Sequence, residues 1–68
     1  MKVFLNDEEK ILDGSSFNIT VFLSEVGFGS TNGIALAVNE EIIPKTSWEA
    51  YTLNENDRVL IITATQGG

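Results

Sequence analysis

The chain has 68 residues, enough for one small domain and no more. It contains no cysteine and no histidine, which excludes disulfides, thiolate zinc sites and the commonest general base of enzymes. Ten acidic residues against four basic ones give a net charge of -6, which disfavours binding to nucleic acids and to anionic membranes. A basic protein partner suits this charge, although acidity alone also keeps a small protein soluble.

The first residues predict a β-hairpin and no targeting segment. The segment Lys2–Leu5 has one charged residue followed by three apolar ones, the turn-prone pair Asn6-Asp7 comes next, and a second apolar patch lies at Ile11-Leu12. The polar run at residues 6–9 interrupts any signal-peptide stretch, and no apolar run approaches a membrane span. We therefore expect a cytoplasmic location, and we interpret the acidic residues 7–9 as a solvated turn rather than a metal site.

The next segment predicts a helix from about residue 19 to residue 26. Its apolar residues recur at the spacing of one helix face, namely Ile19, Phe22, Leu23 and Val26. Asn18 precedes this face as a favourable N-cap, and Phe17 is placed to pack on Phe22 as a hydrophobic staple. Gly27 follows the last apolar residue, where a left-handed cap is expected.

The rest of the chain predicts strands separated by tight turns. In chain order we expect a loop at 28–33, a strand at 34–38, a turn at Asn39-Glu40, a strand at 41–43 ended by Pro44, a helical turn within 45–51 carrying Trp48, a turn at 54–57 and a last strand at 58–63. The order β-β-α-β-β-β indicates an α+β roll, with a mixed sheet of four to five strands and one main helix packed on one face.

The last strand predicts an exposed apolar surface. Side chains alternate across a strand, so one helix cannot cover both faces of the Val59-Leu60-Ile61-Ile62 run. We expect the core between helix and sheet to contain Val3, Leu5, Ile19, Leu23, Val26, Val59 and Ile61. Pairing of the first and last strands would leave Phe4, Leu60 and Ile62 on the open side, where they would serve as a partner-docking surface. Scattered exposed apolar side chains are also common without any function.

The end of the chain offers a chemically usable group. A short polar stretch, Thr63-Ala64-Thr65-Gln66, leads to the terminal pair Gly67-Gly68. Glycine has no Cβ, so such a tail can enter a narrow channel and present its carboxylate to a reactive phosphate. A frayed end or a cloning scar explains the pair equally well when it is considered alone. We divide the chain into a domain at 1–63 and a flexible tail at 64–68.

The chain resembles the ThiS family of sulfur carriers, within the ThiS/MoaD group of ubiquitin-like β-grasp proteins. The resemblance covers nearly the whole sequence. It rests on an opening strand ending in Asn6, the helix pattern from Asn18 to Gly27, the stretch Ala37-Val38-Asn39 followed by Ile43-Pro44 and Trp48, then Leu53, Asp57 and the final Gly67-Gly68. Asn56 stands where the family usually has glycine, and asparagine tolerates the left-handed turn expected there.

The resemblance implies a protein co-substrate rather than an enzyme. A ThiF-type adenylyltransferase, using ATP and magnesium, would adenylate the carboxylate of Gly68, with Gln66 and Gly67 forming the rest of the tail tip. Sulfur supplied through a cysteine desulfurase would replace AMP and leave a thiocarboxylate for thiazole synthase. The carrier itself would bind no cofactor and would be a monomer when free.

Three alternatives stay open at this point. The chain could carry sulfur for another pathway, as the small subunit of molybdopterin synthase does. It could be a ubiquitin-like modifier that forms isopeptide bonds with lysines, or a plain interaction module whose tail has no function. The Asn39, Pro44 and Trp48 pattern favours the thiamin carrier over the first of these.

Overall fold

The described part of the chain, residues 1–14, 17–28 and 33–63 of a computed structural model, has the α+β organisation that the sequence predicts. Its elements are β1 (Lys2–Leu5), β2 (Glu8–Ile11), β3 (Phe17–Asn18), α1 (Ile19–Glu25), β4 (Ile34–Val38), β5 (Glu41–Ile42), a 3-10 turn (Lys45–Ser47), β6 (Thr52–Leu53) and β7 (Arg58–Thr63). The predicted hairpins, helix and last strand are therefore present. The expected division at residues 63 and 64 borders the tail, which lies outside the described residues.

The strands form a mixed sheet with the two chain-terminal strands at its centre. The order across the sheet is β2-β1-β7-β4-β5. β1 and β7 run parallel, with Phe4 opposite Arg58 and Leu5 opposite Val59, whereas β2, β4 and β5 pair antiparallel with their neighbours. A separate two-residue pairing joins β3 to β6. This short pairing was not expected from the sequence, because two residues carry no readable alternation.

The helix begins and ends where its capping residues predict. The backbone N–H of Val21 donates to the side-chain oxygen of Asn18 at 2.8 Å, so Asn18 is the N-cap. Gly27 follows the helix with a φ of +98°, the left-handed conformation that glycine adopts without a steric penalty. Val26, expected in the core, is the C-cap residue and is partly buried against the core instead.

The core lies between α1 and the face of the sheet that α1 covers. Six of the seven expected core residues are buried, and Val26 alone is only partly so. The core also includes apolar residues from α1, β3, β4, β6 and the loops between elements. These are Leu12, Phe17, Phe22, Leu36, Val38, Ile43, Trp48 and Leu53. Trp48 lies in this core with its indole N–H donating to the carbonyl of Ile43 at 2.9 Å, so its polar edge is satisfied.

Two asparagine turns attach the hairpins to the central strand β7. Asn6-Asp7 and Asn39-Glu40 both have positive φ at each residue, the pattern of a type I′ hairpin turn. Each asparagine side chain then bonds back to β7: the Ile61 N–H donates to the Asn6 oxygen at 2.8 Å, and the Arg58 N–H donates to the Asn39 oxygen at 3.0 Å. These hydrogen bonds extend the two ladders beside β7 and offset the cost of the left-handed backbone.

Asp57 is a buried carboxylate that connects two turns. It is 8% exposed, and no other charged residue in the described part of the chain is buried. One of its oxygens accepts from the Asn39 amide at 3.0 Å, and the other accepts from the backbone N–H of Asn54 at 2.8 Å. The carboxylate therefore holds the β4–β5 turn against the turn that precedes β7.

Replacement of Asp57 should destabilise the domain measurably. In Asp57→Asn, one acceptor oxygen becomes a donor that faces another donor, so a buried polar group loses its partner at a cost of about 1–3 kcal/mol. Chemical denaturation of Asp57→Asn beside Asp13→Asn, the same change at an exposed position, measures this effect. Equal midpoints for the two variants would show that the Asp57 contacts contribute nothing to stability.

Candidate functional site

The face of the sheet opposite α1 is apolar and uncovered by any described part of the chain. Leu60 and Ile62 are 47% and 49% exposed, as the alternation along β7 predicts. The antiparallel register places Ala37 beside Leu60 and Ala35 beside Ile62. Ile42, which is 61% exposed, lies opposite Ala37 on the next strand. We call this surface, formed by Phe4, Ala35, Ala37, Ile42, Leu60 and Ile62, the open face.

Phe4 joins Leu60 around a shallow cavity on the open face. Phe4 is opposite Arg58 in the parallel pairing, so Leu60 is its diagonal neighbour, while Ile62 lies further along β7. Phe4 is only partly exposed, and both it and Leu60 line an open cavity of about 220 Å³ together with Ala37. The docking role expected for Phe4, Leu60 and Ile62 remains a prediction, but two of the three share one concave site.

The rim of this cavity is charged. Asp7, from the β1–β2 turn, and Glu40, from the β4–β5 turn, line it on opposite sides of β7, and Arg58 lines it between them. A guanidinium nitrogen of Arg58 lies 3.8 Å from a carboxylate oxygen of Glu40, in a pair that is largely exposed to solvent. Two carboxylates and one guanidinium leave the cavity with one excess negative charge at neutral pH.

The last described strand determines where the tail leaves the domain. β7 ends at Thr63. Near this end, the backbone N–H of Ile61 donates to the side-chain oxygen of Asn6 at 2.8 Å, and the side-chain nitrogen of Asn6 donates to the carbonyl of Ile61 at 3.4 Å. These two hydrogen bonds hold β7 in place next to the exposed Ile62. Gln66, Gly67 and Gly68, the predicted tail site, lie outside the described residues.

Three residues of the open face, Ala35, Ala37 and Ile42, were not predicted from the sequence. The signal was present in β4, where large and small residues alternate as Ile34, Ala35, Leu36, Ala37 and Val38. The register places both alanines on the side of Leu60 and Ile62, where Ala35 is exposed and Ala37 is 4% exposed. The small side chain of Ala37 leaves room beside Leu60 for the cavity. The charged rim gave no such signal, because its residues are far apart in the sequence.

No helix in the described part of the chain is long and apolar enough to cross a membrane. Within residues 1–14, 17–28 and 33–63, no group of three or more acidic side chains is arranged to hold a metal ion.

Comparison with known proteins relates both the sequence and the fold to one family. The family model for the ThiS family matches residues 2–68. The whole chain is 32% identical to a part of a thiazole synthase from Paramagnetospirillum magneticum, and this part is 20% of that protein. Over 36 residues, which are 53% of the chain and 54% of the relative, it is 33% identical to the sulfur carrier protein ThiS of Escherichia coli. The chain thus spans a fifth of the first relative, and its match spans about half of the second.

A solved structure shows the same architecture. The crystal structure of the thiamine biosynthesis protein ThiS from Geobacter metallireducens superposes with a TM-score of 0.88 at 25% identity, covering all of both chains. The solution structure of a thiamine biosynthesis protein from the same organism gives a TM-score of 0.80 at the same identity, covering 88% of that chain.

A mixed sheet with parallel terminal strands at its centre, one helix on one face and an open apolar second face define a ubiquitin-like β-grasp protein. The predicted fold is thus confirmed. With residues 2–68 matched by the family model, the chain belongs to the ThiS family.

Proposed function

We propose that this chain is a sulfur carrier of thiamin biosynthesis that carries its sulfur on the C-terminal carboxylate of Gly68. The observation that supports this most directly is that the family match extends through Gly67 and Gly68 to the last residue. Among the similar proteins, the one from Escherichia coli is named a sulfur carrier, and the structures from Geobacter metallireducens are named for thiamine biosynthesis.

The chemistry requires activation of the carboxylate by another protein. A carboxylate is a poor electrophile, so a ThiF-type adenylyltransferase with ATP and magnesium would join it to the α-phosphate with loss of pyrophosphate. A persulfide formed from cysteine by a desulfurase would then attack the acyl carbon with its terminal sulfur and release AMP, which leaves an acyl disulfide. After cleavage of the sulfur–sulfur bond by a thiol reductant, Gly68 would carry a thiocarboxylate. A chain without cysteine or histidine lacks the usual groups for these steps, which fits a co-substrate.

Thiazole synthase is the proposed acceptor of the sulfur. The chain is similar along its whole length to a fifth of a thiazole synthase, so one protein with that name contains a unit of this kind. Linking two proteins in one chain raises their effective concentration for each other, which would favour a carrier and its acceptor. This similarity supports the acceptor assignment over the alternative pathway of molybdopterin synthesis.

The proposed function is tested by the intact mass of the chain after incubation with the activating enzyme, ATP, magnesium and a sulfur source. Exchange of one oxygen for one sulfur at the C-terminus would support the carrier. Attachment of the chain to lysines would identify a ubiquitin-like modifier instead, and an unchanged mass would contradict both. Transfer of the sulfur to thiazole synthase, followed as loss of the added mass, separates this pathway from other sulfur pathways.

The open face is the proposed docking surface for the activating enzyme. A domain this small has little apolar surface to leave in water, yet Leu60 and Ile62 are both about half exposed on the strand that leads to the tail. The five residues after Thr63 span at most roughly 17 Å when extended. A partner that contacts Leu60 and Ile62 would therefore have its nucleotide within reach of Gly68.

Truncation of the open face should weaken docking without unfolding the domain. Leu60→Ala removes an exposed anchor, and loss of such an anchor commonly costs about 2 kcal/mol or more of binding free energy, which is tens of fold in Kd. Phe4→Ala should weaken binding similarly. Titration of each variant against the activating enzyme, beside a melting curve, measures both effects. Val21→Ala is the matched control, because Val21 is 45% exposed on α1, away from the open face.

If Leu60→Ala and Val21→Ala bound the activating enzyme with equal affinity, the partner would have to contact another surface. If Leu60→Ala lost its cooperative melting transition, Leu60 would contribute to folding rather than to docking.

A further inference from the structure

We propose that the cavity on the open face receives a single arginine side chain from the protein that docks there. This inference rests on the proposed function, because it specifies how the partner of the open face is recognised. The observations that carry it are the size of the cavity, its apolar wall and the charge of its rim.

The size of the cavity suits one side chain. Its volume of about 220 Å³ is below the roughly 300–1,000 Å³ of small-molecule and cofactor sites. It is also open and lies against residues 58–60 of β7, between the β1–β2 turn and the β4–β5 turn. A protruding side chain of a docked protein fills such a depression while the surrounding apolar surface excludes water.

The wall of the cavity suits a long aliphatic stem and a flat cationic head. Phe4, Ala37 and Leu60 provide apolar surface on which the methylene groups of an arginine can lie. The ammonium of Lys2 lies 5.5 Å from the centroid of the Phe4 ring, so this ring already forms one cation–π contact, with which a partner's cation would compete. A guanidinium is planar and weakly hydrated, and it therefore stacks on an aromatic ring better than an ammonium does.

The rim of the cavity supplies the opposite charge. Asp7 and Glu40 line it from two different turns. Among the described residues Asp7 forms no ion pair, and the contact of Arg58 with Glu40 is 3.8 Å long and exposed. An incoming guanidinium can form a bidentate pair with one of these carboxylates, which a compact ammonium cannot do, while Arg58 stays beside Glu40. The net charge of -6 adds a long-range attraction for a basic partner surface.

The first experiment is a titration of the activating enzyme with Asp7→Asn, Glu40→Gln and the double variant. Neutralising charges at the rim of an interface lowers affinity modestly and reduces its salt dependence. We expect the double variant to bind about tenfold more weakly at low salt, with a shallower dependence on salt. Glu25→Gln, a neutralised exposed residue at the end of α1, is the matched control and should bind like the unmodified chain. Equal affinity of the double variant and this control would overturn the proposal.

The second experiment examines the cavity without any partner enzyme. N-acetyl-arginine amide, added to the isotope-labelled chain, should shift the backbone amide resonances of Asn6, Arg58 and Leu60. N-acetyl-citrulline amide has nearly the same shape without the charge, and it should leave them unchanged. The double variant should not respond to the arginine compound. Equal shifts with both compounds, or none with either, would contradict an arginine site.

The two experiments separate the failure of this inference from failure of the proposed function. If the chain accepts sulfur but the charge variants bind normally, the carrier assignment stands and the arginine site is wrong. If the arginine compound binds in the cavity but the chain is never adenylated, the site stands and the carrier assignment is wrong.

Discussion

A chain that lacks Gly68 should acquire no sulfur at all and should melt at the same temperature as the intact protein. In the proposed function the terminal carboxylate must reach the nucleotide of the activating enzyme, and deletion of Gly68 moves that carboxylate back by one residue. Replacement of Gly67 by a bulky residue such as tryptophan should have the same effect, because a Cβ and a ring would obstruct a narrow channel. Intact mass after the loading reaction, beside a thermal melt, measures both properties.

The control for this prediction is Val21→Ala, whose changed side chain is exposed on the helix and should not affect loading. A chain end carries little of the stability of a domain, so the tail variants should keep their melting temperature. A thiocarboxylate on the chain without Gly68 would show that the terminal residue is not the carrier group. Loading of the tryptophan variant at the normal rate would show that the channel does not need glycine at position 67.

Truncation of the core should have the largest effect on stability. Leu23 is 1% exposed on α1 and Ile61 is 6% exposed on β7, so their side chains meet the core from its two layers. Replacement of either by alanine removes buried methyl groups and leaves a cavity, at a cost of about 2–5 kcal/mol. A domain of 68 residues has a free energy of unfolding of roughly 3–10 kcal/mol, so one such change can remove most of it.

Chemical denaturation of Leu23→Ala and Ile61→Ala measures this loss, again beside Val21→Ala. Val21 lies on the same helix but is 45% exposed, and alanine is the better helix former, so the control should unfold at the normal midpoint. Normal midpoints for Leu23→Ala and Ile61→Ala would mean that these side chains do not form the core. Because Leu23 lies on α1, away from the open face and from β7, a Leu23→Ala variant that stays folded should still accept sulfur.

The parts of the fold that depend on neighbouring residues could be predicted from the sequence. The helix start at Asn18 and the glycine cap at Gly27 follow from local hydrogen bonding and backbone freedom, and both were confirmed. Asn56 has a φ of +68°, the left-handed conformation expected where the family usually has glycine. The exposure of Leu60 and Ile62 followed from the alternation of a single strand combined with a single helix.

The candidate site was predicted only in part, for a physical reason. Phe4 and Leu60 could be assigned to one face, but the cavity between them depends on the small side chain of Ala37 from a strand that pairs on the other side of β7. Asp7 and Glu40 come from two turns that are distant in the sequence and lie on either side of the same strand. No local pattern encodes such a meeting of distant residues.

The sequence by itself determined the main helix, the longer strands, their order and the parity of the last strand. These properties arise from side-chain periodicity and capping, both of which act within short segments. Only the tertiary structure decided the pairing of β3 with β6, the bonds from Asn6 and Asn39 to β7, and the charged rim of the cavity. Each of these requires two distant segments to meet, and which segments meet is decided by the packing of the whole core, since many registers satisfy the local preferences equally well.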